Sequence, residues 1–282
     1  MREECVMNYE KINNYKLDPA MSAVSPEVQF ERELEVLRTE AEAAIQFFYA
    51  YLTVHAVAGE HDPVFRTLNT APLFWSTSLG ALQTSAFIAL GRVFDQSSTH
   101  NIDHVLRIAQ DNPQIFTKAA LGLRKQGSNP KPPEWLPEYL RTAYVPVATD
   151  FRRLRGHVKK YRKVYEARYK PLRHKFFAHK EVSDRAEVDA LFAQTNIREM
   201  QKMLTFLGAL YRALWELLFN GRKPVLRAAR YSVKEMRHRP SPPWQSSAVQ
   251  ERVTHETERF LQGIAGVAQQ RLPADALQAA RR

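Results

Sequence analysis

The chain of 282 residues carries 41 Lys+Arg against 30 Asp+Glu, a net charge of +11, with 44% hydrophobic residues and one cysteine, Cys5. That composition describes a globular chain long enough to bury a core, excludes an internal disulfide and fits a reducing compartment, the cytoplasm. The excess charge is local: residues 151–180 hold twelve Lys+Arg and one acid, Glu166, while the other 252 residues are balanced at 29 of each.

In chain order, residues 1–25 read as a flexible leader without a signal-peptide core, and Met21 is an alternative start. Ser25 is a candidate N-cap, Pro26 suits the first helical position, and Glu27 favours the positive helix end. Phe30, Leu34, Leu37, Ala41, Ala44, Ile45 and Phe48 recur at threes and fours, which predicts a helix to about Ala58 with Gly59 as its stop. Residues 72–96 form a second helix, apolar or small on most faces, expected at the centre of a bundle. No run of about eighteen uncharged apolar residues is present, so no membrane span is expected. Shorter helices are expected at about 101–111 and 113–124, followed by a loop with four prolines among residues 130–137.

The basic segment is itself helical. Phe151, Leu154, Val158, Tyr161, Tyr165, Leu172, Phe176 and His179 mark a seam, with a gap near Arg168, and Pro171 should kink or divide the helix. Asn196 with Glu199 resembles a capping box that opens a strongly amphipathic helix ending near Asn220. A linker and one peripheral helix follow. The expected organisation is all-α: a leader over 1–25, a bundle of long antiparallel helices over 26–220, and a C-terminal helical extension over 221–282.

Phosphate-loop and dinucleotide fingerprints are absent, and neither Cys5 nor any serine sits in a nucleophile turn. His100 and His104, with Asp103 between them, have a helical metal-pair spacing, but His100 should lie before its helix. His174 and His179 are turned well apart. No metal site and no cofactor are expected.

The stretch RHKFFAH, residues 173–179, is the remaining chemical feature. On an ideal α-helix Arg173 and His179 lie about 9 Å apart along the axis and about 120° apart around it, so they do not converge unaided. A second copy of the helix across a two-fold axis would gather two arginines and two histidines around one cleft. Such a set suits RNA cleavage. Histidine can take the 2′-hydroxyl proton and supply one to the leaving 5′-oxygen, and arginine grips the phosphate. Concentrated positive charge also reads as the footprint of a polyanion. A solvated helix face or a surface docking an acidic protein is the alternative.

The arginine–histidine spacing, with LRHKFFAHKE around it and ALGRVFDQSSTHNIDHVLRIA earlier in the chain, resembles the HEPN superfamily and specifically the AbiU-type HEPN domain of bacterial abortive-infection proteins, over roughly residues 30–220. The resemblance implies a HEPN-like bundle and a metal-independent endoribonuclease, forming 2′,3′-cyclic phosphate ends, in a toxin or phage-defence role. It further implies a homodimer with the active cleft at its interface, RNA as substrate and an antitoxin protein as a further partner. Arg173 and His179 match the two motif positions, His174 the polar position after the arginine, and Asp95 is a candidate auxiliary acidic group; the alternatives are an Arg173 that only pairs with a carboxylate, a His179 that caps its helix and an Asp95 that ends one. Glu181 replaces the tyrosine that is modified in some family members. Arg152, Arg153, Arg155, Lys159, Lys160, Arg162, Lys163, Lys175 and Lys180 would track RNA phosphates. The alternative is a non-catalytic module that binds RNA or protein through the same groove.

Overall fold

The computed structural model describes residues 24–178, 184–227, 229–240 and 247–270. Residues 1–23 of the leader, with Cys5, and His179, Lys180 and Glu181, lie outside the described residues. The described residues are all-helical: α1 (Pro26–Glu60), α2 (Asp62–Asn69), α3 (Pro72–Phe94), α4 (Ile102–Asp111), α5 (Lys118–Gln126), α6 (Leu136–Thr142) and α7 (Ala148–Val164) come first. After α7 follow a three-residue turn α8 (Lys170–Leu172), then α9 (Arg185–Ala193), α10 (Ile197–Asn220), α11 (Val233–Arg237) and α12 (Val249–Gln270).

α1 organises the bundle, and its sequence explains why. Ser25 accepts a hydrogen bond from the Val28 amide at 3.3 Å, and Pro26 starts the helix, a cap of the kind that contributes about 1 kcal/mol. The expected apolar stripe, Phe30 through Phe48, is buried throughout. Each such side chain contributes about 1.5–3 kcal/mol on leaving water. Gly59 does not stop the helix, which runs on to Glu60; one glycine costs about 1 kcal/mol, too little to end a helix with α12 packed along it.

The second helix departs from expectation over half its length. From Ala86 to Phe94 α3 is mostly enclosed, but Leu73 is 80% and Phe74 63% exposed. By length and composition α3 is the one described helix apolar enough to cross a membrane. Its low charge reflects an open apolar face as well as a core.

Three short helices, α2, α6 and α9, carry no clear sequence signal; α6 begins inside the proline-rich loop, with Pro137 at its start. The expected capping box is half realised. Asn196 accepts from the amides of Arg198 and Glu199. Glu199, however, turns to Arg168 at 2.9 Å, and the Asn196 amide donates to the Tyr169 hydroxyl at 3.3 Å.

Pro171 divides the basic helix as expected, by widening it. Tyr165–Tyr169 is π-helical, α8 holds Pro171, and Arg173–Ala178 is π-helical again. Proline supplies no amide to the turn before it, and the Lys170 amide reaches back five residues to the Tyr165 carbonyl. Arg173–Ala178 therefore departs from the ideal α-helix that the motif spacing assumes.

Candidate active site

The C-terminal end of α3 and the π-helical stretch meet, and Arg173 is the point of contact. Its guanidinium pairs with the Asp95 carboxylate, across 78 positions of sequence. Asp95 closes α3: its amide donates to the Gly91 carbonyl at 2.8 Å. Asp95 is 7% exposed, while the Arg173 side chain keeps 17% of its surface in water. Lys170 Nζ, one turn earlier, stands 3.7 Å from Asp95 Oδ1.

This seat depends on Gly91. A Cβ at that position would lie 2.7 Å from both Cδ and Nη1 of Arg173, so the arginine lies directly on the helix backbone. Tyr165 completes the seat. Burial pushes its hydroxyl pKa well above the ordinary range, Arg173 opposing and Asp95 reinforcing the shift. Asp95 Oδ1, Arg173 Nε and the Tyr165 hydroxyl are buried without a hydrogen-bond partner among the described residues. Asp95 Oδ1 nevertheless has Lys170 Nζ within ion-pair reach, and the Tyr165 hydroxyl feels both Arg173 and Asp95.

Of the sequence-derived residues, the structure brings Arg173 and Asp95 together, and it places His174 and Lys175 on the exposed side of the same turn. His179 and Lys180 lie outside the described residues. Phe176 and Phe177 pack into an aromatic cluster with Phe87 and Phe192, with ring centroids 4.9–5.6 Å apart for the three closest pairs.

Along α7, Arg152, Lys159, Lys160 and Lys163 are exposed and Arg155 is half-buried. Arg153 is exposed but reaches the Pro224 carbonyl at 3.1 Å and Asp150 at 3.4 Å. Arg162 is a correction to the expected phosphate track: it is buried at 8%, pairs with Asp103 at 2.5 Å and donates to the Phe94 carbonyl at 3.3 Å. It shares the inward side of α7 with Tyr161, which packs against the core as its periodicity predicts, its ring stacked on that of buried Phe206 at 4.3 Å.

Three contributors escaped sequence reasoning: Gly91, Lys170 and Tyr165. The string GRVFD contained a clue in its glycine, set just where a helix ends. Nothing in the chain announces that an arginine would lie on it.

His100 does precede α4, whose N-cap is Asn101. His100 Nδ1 lies 2.9 Å and His104 Nε2 3.8 Å from the buried Glu33 carboxylate. No group of three metal-ligating side chains is found among the described residues.

No curated protein and no solved structure matches the chain. Residues 27–240 match the AbiU2 family of HEPN domains. That span holds both arginine seats, the exposed face of α7 and the whole RHKFFAH stretch. The chain belongs to the AbiU2 HEPN family, a family of the abortive-infection type.

Proposed function

We propose that the protein is a metal-independent endoribonuclease acting on cytoplasmic RNA as a toxin or phage-defence effector. The observation that carries this reading is the Arg173 seat. An arginine of the family's motif is held by a buried carboxylate at a helix end while part of its surface still faces water. Preorganisation of this kind lets a guanidinium stabilise charge that develops on a phosphate without reorganising at the moment of reaction.

In the proposed reaction a histidine takes the proton from the RNA 2′-hydroxyl, and the resulting oxygen attacks the adjacent phosphorus. The bond to the 5′-oxygen breaks, and a second histidine protonates that oxygen, leaving a 2′,3′-cyclic phosphate and a 5′-hydroxyl. His179 is assigned as base and acid in two copies, Arg173 as the phosphate anchor, Asp95 as its positioning partner, and His174 and Lys175 as flanking groups. The exposed cations of α7 guide the strand.

The homodimer that this reading requires draws support from α3. Its outer stripe of Leu73, Thr77, Gly80, Ala81, Thr84 and Ile88 is uncharged and incompletely buried, and a Cβ at Gly80 would meet nothing within 4 Å. Leu73 and Asp95 stand about 33 Å apart along the helix. An interface covering the first and reaching the second must run the length of α3.

A second reading rests on the same pair. Asp95 neutralises Arg173, so the arginine is also suited to be a strut within a non-catalytic RNA- or protein-binding module. Incubation of the purified protein with transfer or total RNA in EDTA separates the two. Cleavage to cyclic phosphate ends by wild type, lost in His179→Ala and Arg173→Ala while the dimer persists, supports the enzyme. Binding of RNA without cleavage, unaffected by His179→Ala, supports the module.

A further inference from the structure

A cavity of about 550 Å³ lies between α1, α10, the chain from Arg222 to Tyr231 and the first turn of α12. It exists because the two long helices face it with small residues, Ala41 on α1 and Gly208, Ala209 and Ala213 on α10. A Cβ added at Gly208 would meet nothing within 4 Å. None of its lining residues belongs to the Arg173 seat.

The lining is strongly biased in charge. Arg38, Arg212, Arg222, Lys223 and Arg227 stand against only Glu42 and Glu216, a surplus of three cations. Both acids are already engaged, Glu42 by Arg38 at 2.7 Å and Glu216 by Arg222 at 3.3 Å. Lys223 stands 5.5 Å over the ring of Tyr144. Arg212 and Arg227 have no carboxylate within ion-pair distance among the described residues, and both are exposed.

The remaining walls are of a different kind. Tyr211 and Tyr231 line the cavity together with Ile45, Val225 and Val249. Burial raises the Tyr231 hydroxyl pKa, with the Arg212 charge opposing and the Glu251 charge reinforcing that rise, so both charges lie near this ring. α12 opens at the cavity through Ala248, Val249 and Gln250, which brings the positive end of a 22-residue helix to the same place. Glu251 engages one of the amides there, accepting from that of Ala248 at 3.0 Å.

Open guanidinium forks on one side and aromatic and aliphatic walls on the other are what a flat base joined to phosphate requires. The volume falls in the range of small-molecule sites, roughly 300–1,000 Å³, and is far more than a bare phosphate fills. We propose that this cavity binds a nucleoside phosphate, with Arg212 and Arg227 on the phosphates and the base against Tyr211 and Tyr231. The site is independent of the ribonuclease reading, and its test does not depend on cleavage.

The probes are fluorescent N-methylanthraniloyl ADP and GDP, titrated against the full chain at low salt, with inorganic phosphate and a single-stranded RNA decamer as competitors. Saturable binding at one site per chain is expected, with phosphate alone a poor competitor. Arg212→Glu with Arg227→Glu should weaken it by on the order of tenfold or more. Gly208→Leu, which fills the floor, should block it with the helical circular dichroism unchanged, and Arg173→Ala should bind as wild type. The proposal is overturned by any of three results: no saturable binding of either probe at millimolar concentration, affinity insensitive to the double charge reversal, or loss of binding in Arg173→Ala. Binding of the decamer through Arg212 and Arg227 without binding of either mononucleotide would also overturn it, marking the arginines as an RNA track.

Discussion

Two arginines of the basic segment turn inward and grip the same end of α3, yet they are held differently. Arg162 is enclosed, with Asp103 on one side and the Phe94 carbonyl on the other. Arg173, eleven positions on, meets Asp95 one residue beyond Phe94 and keeps 17% of its side chain in water, against 10% for Arg162. The first is a clamp whose bonds are all internal; the second is anchored at one side and open at the other. A buried ion pair is weak evidence for stability but strong evidence for a fixed position. On the proposed reading, that fixed position is where Arg173 would meet a phosphate.

That contrast can be broken experimentally. The largest effect should follow Arg162→Ala, which strands Asp103 and the Phe94 carbonyl. A loss of about 3 kcal/mol is expected in denaturant unfolding, whereas Arg173→Ala should cost less because Lys170 remains beside Asp95. Equal losses would erase the distinction between clamp and anchor. Gly91→Ala should come next. The new methyl displaces the Arg173 guanidinium, so cleavage should drop on the order of tenfold while unfolding stays within about 1 kcal/mol, since alanine favours the helix by nearly that amount. Activity equal to wild type would show that the seat does not matter to the reaction.

Charge reversal on the open face, Lys159→Glu with Lys163→Glu, should lower RNA affinity several-fold and reduce the salt slope by roughly 0.7 per lost contact. Arg162→Lys should leave that slope unchanged, because position 162 does not face the strand. The smallest effect concerns alkaline pH. Tyr49, Tyr165 and Tyr169 all have hydroxyl pKa values raised by burial. Their unfolded forms lose a proton near pH 10 while the folded forms hold it. Stability should therefore be flat below about pH 10 and fall above it, followed by circular dichroism with phenolate absorbance. Phenolate appearing before unfolding would show that these hydroxyls are open to solvent.

The helices that bury a continuous stripe were legible in the chain, because Phe30 to Phe48 and the apolar face of α10 repeat with the helical period. Segments held by one or two long-range contacts were not. α2 has a single buried residue, Val64, and α9 has none among its described residues. Periodicity also failed where polarity misled it. Arg162 occupies a seam position because Asp103 and a helix-end carbonyl supply it with partners, and no local pattern encodes a partner 59 positions away. At the candidate site, motif spacing singled out Arg173 and the string RVFD singled out Asp95, two residues that the fold pairs. Gly91 and Tyr165 act only through the packing of α3 against the π-helical stretch, which exists only in three dimensions.

The π-helical turns around Pro171 carry a mechanical consequence. Each such turn holds one residue more than an α-helical turn, and shifting that surplus along the chain rotates everything between by about 100°. Two such turns flank α8, so the face that Arg173 presents is set by them and not by the α-helical period of Phe151, Leu154 and Val158. Proline keeps the surplus nearby, since a regular α-helical turn before it would lack one amide. Arg173–Ala178 therefore lies off the register of α7, with Pro171 at the break. Deleting Ala167 should remove one surplus residue and return that turn to an α-helical one, leaving the bundle folded and Arg173 still facing Asp95.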